Sequence, residues 1–318
     1  MPPHPSIIRY DHGISAIDAG YERPNLAAIH FIIEGERAAI VDTGTNYSVD
    51  ATLAALAVQG VSADRVEYVV LTHVHLDHAG GAGALMRRCP NAMLTVHPRG
   101  ARHMIDPSRL WQGTVAVYGE ERAKKVYDEI IPVPKNRVIE TPDGAELALA
   151  GRTLEFRDTP GHARHQVAVI DSRSGHVFVG DTLGFSYREL DHAGRNFILP
   201  TSSPTQFEPD ALHRSLDLIA SYRPEVAYLT HFSQVREIPR LVANLHRLAD
   251  AYAELGQKHK HDGERRFVNL HAGMQRLALE ECARQGLPFS EKRLLEILSL
   301  DLKLNAQGLE SWLDAPSP

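Results

Sequence analysis

One short stretch of the sequence contains four potential metal ligands within six positions. They are His73, His75, Asp77 and His78. The stretch follows Val66–Val70, whose apolar and β-branched residues predict a buried strand. Residues two apart on an extended chain point the same way, so His73 and His75 can reach one ion together, while the other two turn toward a second. Because imidazole and carboxylate bind Zn²⁺ and neighbouring metals, the stretch predicts a metal site at a strand end.

Composition restricts the classes of protein to which the chain can belong. Its 318 residues are 43% hydrophobic and 23% charged, which is ordinary for a soluble globular protein. A net charge of −6 argues against a nucleic-acid partner. No run approaches 18 apolar residues and no signal-peptide pattern is visible, so we expect a cytoplasmic protein without a membrane partner. The distant Cys89 and Cys282 do not indicate a disulfide framework.

Further ligand candidates follow other apolar runs. They are His162, Asp181 and His231, and glycine precedes the first two. Asp42 ends another predicted strand, Ala38–Val41, and two interpretations of it stay open. It orients a metal-binding histidine through the second ring N–H, or it is a simple turn or cap residue.

The pattern of apolar residues predicts alternating strands and helices, followed by a helical tail. Strands are expected at 14–18, 27–33, 38–41, 66–70, 93–96, 147–149, 152–157, 166–171 and 177–179. Helices are expected at 49–58, 82–88, 241–255, 267–285 and 291–300, with another starting near Pro209 and a final turn at 309–313. The segment Pro98–Tyr127 has an irregular pattern, and two interpretations of it stay open. It lies over a site mouth and contacts substrate, or it supplies ordinary packing and surface residues. We predict a core domain at 1–255 and a helical extension packed on it at 256–318.

The ordered motifs resemble those of the metallo-β-lactamase superfamily, whose hallmark is HxHxDH followed by separate His, Asp and His ligands. The resemblance covers roughly residues 10–240 and implies a four-layer αββα sandwich. By this resemblance the first metal is held by His73, His75 and His162, the second by Asp77, His78 and His231, and Asp181 bridges the two. Asp42 matches the early Asp of the family.

Two narrower resemblances concern branches of the superfamily. The spacing of His162 and His165 resembles the glyoxalase II-like branch. By this resemblance His165 either contacts the metal ligands without binding the metal itself, or is simply a structural residue. The runs 96–107 and 304–309 look like an uncharacterised prokaryotic subgroup of metallo-hydrolases. Neither branch specifies a substrate.

The ligand set predicts hydrolysis by a water molecule that lies between two divalent ions and loses its proton near neutral pH. Zn²⁺ is the first expectation, and Fe²⁺ and Mn²⁺ stay open. Asp77 could orient the nucleophile and pass a proton to the leaving group. Tyr187 is either a hydrogen-bond donor to the oxyanion, as in some lactonases of the superfamily, or an ordinary loop tyrosine.

These expectations combine into one leading function and several alternatives. The leading one is a dinuclear metal-dependent hydrolase that cleaves a small ester, lactone or thioester. The alternatives are an iron-dependent oxygenase like the persulfide dioxygenases, a phosphodiesterase, and a metal-bound scaffold without activity. The expected partner is a small-molecule substrate, and the C-terminal helices make a homodimer possible.

Overall fold

A computed structural model describes residues 5–202 and 206–315 as an α/β sandwich of two sheets with helices at its C-terminal end. The strands are β1 (Ile8–Arg9), β2 (Ile14–Asp18), β3 (Ala28–Glu34), β4 (Arg37–Val41), β5 (Val66–Val70), β6 (Met93–Val96), β7 (Val138–Glu140), β8 (Ala145–Leu149), β9 (Arg152–Asp158), β10 (Val167–Asp171), β11 (Val177–Phe185), β12 (Ala227–His231) and β13 (Ser233–Val235). The α-helices are α1 (Val49–Val58), α2 (Leu76–Ala79), α3 (Ala82–Arg88), α4 (Pro98–Ile105), α5 (Ser108–Tyr118), α6 (Glu120–Tyr127), α7 (Pro209–Ser221), α8 (Ile238–His259), α9 (Arg266–Arg284) and α10 (Glu291–Asp314).

The first sheet has seven strands in the order β1 to β7. Its first four strands are antiparallel, and β4, β5, β6 and β7 are parallel to one another. Parallel neighbours need a crossover, and α1 and α3 lie in the first two of these connections. Val41 of β4 is opposite Val70 of β5, so the residues that follow these two strands lie at the same edge of the sheet.

The second sheet has six strands in the order β13, β12, β11, β10, β9, β8. Strands β8 to β11 are antiparallel. A buried ion pair joins β9 to β10, because Arg152 donates through Nε to Oδ1 of Asp171 at 2.5 Å. The same arginine donates through Nη1 to the carbonyl of His12 at 2.7 Å, which ties this sheet to the turn between β1 and β2.

Residues of the chain form two compact units. Among the described residues, the first takes 5–158, 165–180 and 226–234, and the second takes 159–164, 181–202, 206–225 and 235–315. In the first unit, both sheets contribute apolar side chains to one core, as Ile32 and Val70 do from one sheet and Phe156 and Phe178 from the other.

The second unit is mainly helical, and its long helices pack closely at glycines. A side chain at Gly273 of α9 would collide with Leu255 of α8, and one at Gly256 of α8 would collide with Trp312 of α10. Helix α8 continues without a break from Ile238 to His259. The domain boundary predicted at residue 255 stays a prediction.

Most predicted elements are present, but one predicted helix end was wrong. Three helices, α4, α5 and α6, form within Pro98–Tyr127, where no element was predicted. In α5 no residue is fully buried, and Leu110, Trp111, Val115 and Tyr118 are half-buried at helical spacing. The tail helix does not end at Leu300 but continues to Asp314. None of the helices in the described part of the chain is long and apolar enough to cross a membrane.

Candidate metal centre

Three of the predicted ligands lie together in the first unit. Asp77 and His78 belong to α2, which starts soon after β5, and His231 is the last residue of β12. One ligand atom from each of the three lies within 4.8 Å of the others. The ends of a first-sheet strand and a second-sheet strand therefore place a carboxylate and two imidazoles where they could hold a metal ion.

Asp42 is the buried carboxylate that orients one of these imidazoles. It follows β4 with φ of +59°, a left-handed conformation that Asp tolerates better than most residues, and it is 1% exposed. Its Oδ2 accepts from Nδ1 of His78 at 2.9 Å and from the hydroxyl of Thr230 at 2.7 Å. Its Oδ1 accepts from the backbone N–H of Thr72 at 2.9 Å. The hydrogen bond to a candidate ligand histidine, one of the two interpretations from sequence, is present.

Both imidazoles of the group have their ligand nitrogens oriented by hydrogen bonds. Nδ1 of His231 donates to the carbonyl of Leu26 at 2.8 Å, and Nδ1 of His78 donates to Asp42. In a neutral ring this leaves Nε2 as the atom with the lone pair. Nε2 of His231 lies 3.3 Å from Oδ2 of Asp77, and Nε2 of His78 lies 3.7 Å from the same oxygen. This donor set fits a divalent metal ion, since metal-binding histidines donate their other N–H to such acceptors.

The charge on Asp77 is stabilised by its neighbours. Burial alone would raise the pKa of Asp77, but His78, His231 and His75 beside it lower the pKa well below the usual range. Asp77 is therefore ionised at neutral pH, as a carboxylate ligand must be.

His73 and His75 form a second imidazole group in the same unit. Nε2 of His73 and Nδ1 of His75 are 3.0 Å apart, and the rings meet at 79°. His165 lies beside both, with its ring parallel to His73 at a centroid distance of 6.1 Å. Burial, followed by the charges of His75 and nearby histidines, lowers the pKa of His165 well below its usual value. His165 is therefore a neutral neighbour of the two candidate ligands.

In the second unit, His162 and Asp181 lie together. Nε2 of His162 is 3.4 Å from Oδ2 of Asp181, and both residues are buried. Gly161 has φ of +133°, and a Cβ there would lie 2.5 Å from the Cα of Leu212. Only glycine fits at that position without displacing the backbone, which explains the glycine before this ligand candidate.

Tyr187 is almost fully buried in the second unit. Its hydroxyl donates to Oδ1 of Asp301 at 2.7 Å, and its ring stacks on Phe185 at a centroid distance of 5.2 Å. These contacts give Tyr187 a structural role. The catalytic role stays a prediction.

A tyrosine group near Asp77 was not predicted from the sequence. The hydroxyls of Tyr21 and Tyr127 are 2.7 Å apart, and the ring of Tyr118 lies at 6.0 Å from that of Tyr127. Burial and then the charge of Asp77 raise the pKa of Tyr118 to about 12, so this hydroxyl stays protonated at neutral pH. Tyr21 is 106 positions from Tyr127, and no local pattern connects them.

Comparison with known proteins identifies the family. A profile described as the metallo-beta-lactamase superfamily matches residues 24–231, which is more than half of the chain. The chain therefore belongs to the metallo-beta-lactamase superfamily. The ligand motifs that resemble this superfamily all lie inside the matched region.

The individual relatives share only a quarter to a third of their aligned residues with this chain. The chain is 25% identical over 231 residues to the metallo-beta-lactamase fold-containing protein ST1585 of Sulfurisphaera tokodaii, a match covering 69% of this chain and 78% of the relative. It is 32% identical over 156 residues to a hydroxyacylglutathione hydrolase of Stenotrophomonas maltophilia, covering 49% of this chain and 45% of that enzyme. The chain thus matches less than half of that enzyme's length.

Two solved structures support the fold. The crystal structure of ST1585 aligns with a TM-score of 0.64 at 21% identity, covering 94% of this chain and 99% of that one. The metallo-beta-lactamase family protein TTHA1429 of Thermus thermophilus aligns with a TM-score of 0.63 at 19% identity, covering 95% and 93%. At these identities the likeness concerns the fold alone.

Proposed function

We propose that this chain is a dinuclear metal-dependent hydrolase that cleaves a small ester, lactone or thioester. The observation that carries the proposal is the orientation of His78 and His231. Each donates Nδ1–H to a buried acceptor and directs Nε2 toward the ionised carboxylate of Asp77. The ligand assignment from the family pattern, with zinc as the metal, is part of the proposal.

The proposal draws further support from the relatives. Members of the superfamily are mostly hydrolases, and some relatives of this chain are named for hydrolysis of a hydroxyacylglutathione. That name favours a thioester within the proposed substrate class. The small-molecule substrate is likewise a proposal, and the homodimer stays a prediction.

The chain's own residues prepare the site for this chemistry. When bound, the metal ions would polarise the carbonyl oxygen of the substrate and supply an activated water molecule. Asp42 holds His78 in the tautomer that a metal ligand needs. Asp77 is ionised, so one of its oxygens can accept a hydrogen bond from the attacking water and later pass a proton to the leaving group.

The test combines metal analysis with a substrate panel. Protein purified without added metal is analysed by elemental mass spectrometry and assayed on esters, lactones, thioesters and phosphodiesters. We expect about two zinc ions per chain and turnover of an acyl substrate, with both reduced in His231→Gln. The matched control is His261→Gln, which changes an exposed histidine.

Three results would contradict the proposal. Iron in the native protein, together with oxygen consumption on thiol or persulfide substrates, would indicate the oxygenase instead. Turnover of phosphodiesters alone would replace the acyl substrate class. Bound metal without turnover anywhere in the panel would favour a scaffold.

A further inference from the structure

We propose a separate metal site on the helical second unit, with the imidazoles of His213 and His246 as its ligands. The occupant is a divalent transition metal that prefers imidazole nitrogen, Zn²⁺ or Cu²⁺. His213 lies on α7 and His246 on α8. Neither histidine belongs to the family's ligand motifs, so this site is independent of the proposed hydrolase activity.

The two rings meet nitrogen to nitrogen. Nδ1 of His213 and Nδ1 of His246 are 2.6 Å apart. The ring planes differ by only 5°, and the centroids are 4.9 Å apart. This centroid distance is nearly the N–N distance plus the radii of the two rings, so the rings are coplanar and meet edge to edge. Each Nδ1 therefore points directly at the other.

The opposite side of each ring faces a carboxylate from the other helix. Nε2 of His213 lies 3.0 Å from Oδ1 of Asp250 on α8, and Nε2 of His246 lies 3.1 Å from Oδ1 of Asp217 on α7. An ionised carboxylate only accepts hydrogen bonds, so both Nε2 atoms carry protons. In two neutral rings, both Nδ1 atoms would then present lone pairs to each other. A single cation between them removes that repulsion.

A metal ion meets this requirement with ligands that are already oriented. Metal-binding histidines usually donate their second N–H to a carboxylate, and here both do. Because the two lone pairs lie on one line, a zinc ion about 2.0 Å from each nitrogen needs the nitrogens about 4 Å apart. If both rings tilt toward the tetrahedral angle, about 3.4 Å is enough. The imidazoles are 26% and 28% exposed, which allows this movement and lets water complete the coordination. A proton alone could also lie between the nitrogens, and the experiment separates the two cases.

The test compares zinc binding by the full chain with that of a double variant, His213→Gln with His246→Gln. Chelator-treated protein is dialysed to equilibrium against micromolar free Zn²⁺, and bound zinc is counted by elemental mass spectrometry. We expect the parent to bind about one zinc ion per chain more than the double variant. The control is His271→Gln, which changes a half-buried histidine of the same unit that stacks on Phe267, and it should match the parent.

Equal zinc counts in the parent and the double variant would overturn the proposal. Thermal unfolding without metal checks that the variant is folded, and His213→Gln alone replaces it if it is not. Absence of zinc from the candidate metal centre would contradict the proposed hydrolase but leave this difference intact.

Discussion

The structure contains the same histidine–carboxylate contact in two different settings. Asp42 and His78 are 1% and 0% exposed in their side chains. On α7 and α8, His213 pairs with Asp250 at 26% and 66% exposed, and His246 pairs with Asp217 at 28% and 75%. In both settings a carboxylate accepts an imidazole N–H near 3 Å. The difference between them is burial.

Burial decides how much each contact matters to the fold. The carboxylate of Asp42 is removed from water, and several protein donors replace that water. Removing the carboxylate would leave its buried donors without an acceptor in a low-dielectric interior. The carboxylates of Asp217 and Asp250 keep most of their hydration, so their histidine contacts add little to stability. We therefore expect the buried contact to be essential and the exposed contacts to matter mainly for binding.

The largest effect is expected for Asp42→Asn. Asparagine keeps the shape of the side chain and tolerates φ of +59°. Its NH₂ group, however, is itself a donor and would face the donors whose hydrogen bonds Asp42 accepts. We expect the free energy of unfolding of the metal-free protein to fall by about 3 kcal/mol, and zinc affinity to fall about 10- to 100-fold. Urea unfolding and zinc titration measure the two effects. If neither changed, Asp42 would be an ordinary turn residue.

A smaller effect is expected from His30, a buried histidine with a hydroxyl partner. Nε2 of His30 lies 3.1 Å from the hydroxyl of Ser233. Burial lowers the pKa of His30 from 6.5 to about 4, although Asp42 opposes this shift. Between pH 6.5 and pH 4 the unfolded chain therefore binds the proton first, and folding stability falls as the pH falls through this range.

The pH dependence of unfolding tests this assignment. Between pH 7 and pH 4.5, His30 should account for about 2 to 3 kcal/mol of lost stability. In His30→Gln, that part of the pH dependence should disappear, whereas the exposed control His261→Gln should keep it. A parent and a His30→Gln variant with parallel profiles would show that His30 is not held neutral.

Local sequence patterns predicted the regular elements well. Val66–Val70, Val49–Val58 and Ala82–Arg88 have their predicted bounds, because each is an apolar run or stripe with clear ends. Strand β11 was predicted to end at Val179 but continues to Phe185, through a glycine and polar residues that read as a strand end. These polar residues are buried in the fold, which no local pattern shows.

In the candidate site, too, some features could be predicted from local sequence and others could not. The ligand types and their order were visible in the sequence because they follow strands. The partners that orient them were not visible: Thr230 reaches Asp42 across 188 positions, and His231 reaches Leu26 across 205. The half-buried pair of His213 and His246 was also not predicted. His213 and His246 lie 33 positions apart on different helices, and only the packing of α7 on α8 brings them together.

The smallest effect on stability is expected for Asp217→Asn. It repeats the chemical change made at Asp42, again opposite a histidine, but on an exposed helix face. Water can replace the lost contact, so the free energy of unfolding should change by less than about 1 kcal/mol in the metal-free protein. Urea unfolding of the two Asp→Asn variants side by side measures the contrast directly. If Asp217→Asn cost as much as Asp42→Asn, burial would not be what distinguishes the two settings, and the pairing of His246 would be part of the fold itself.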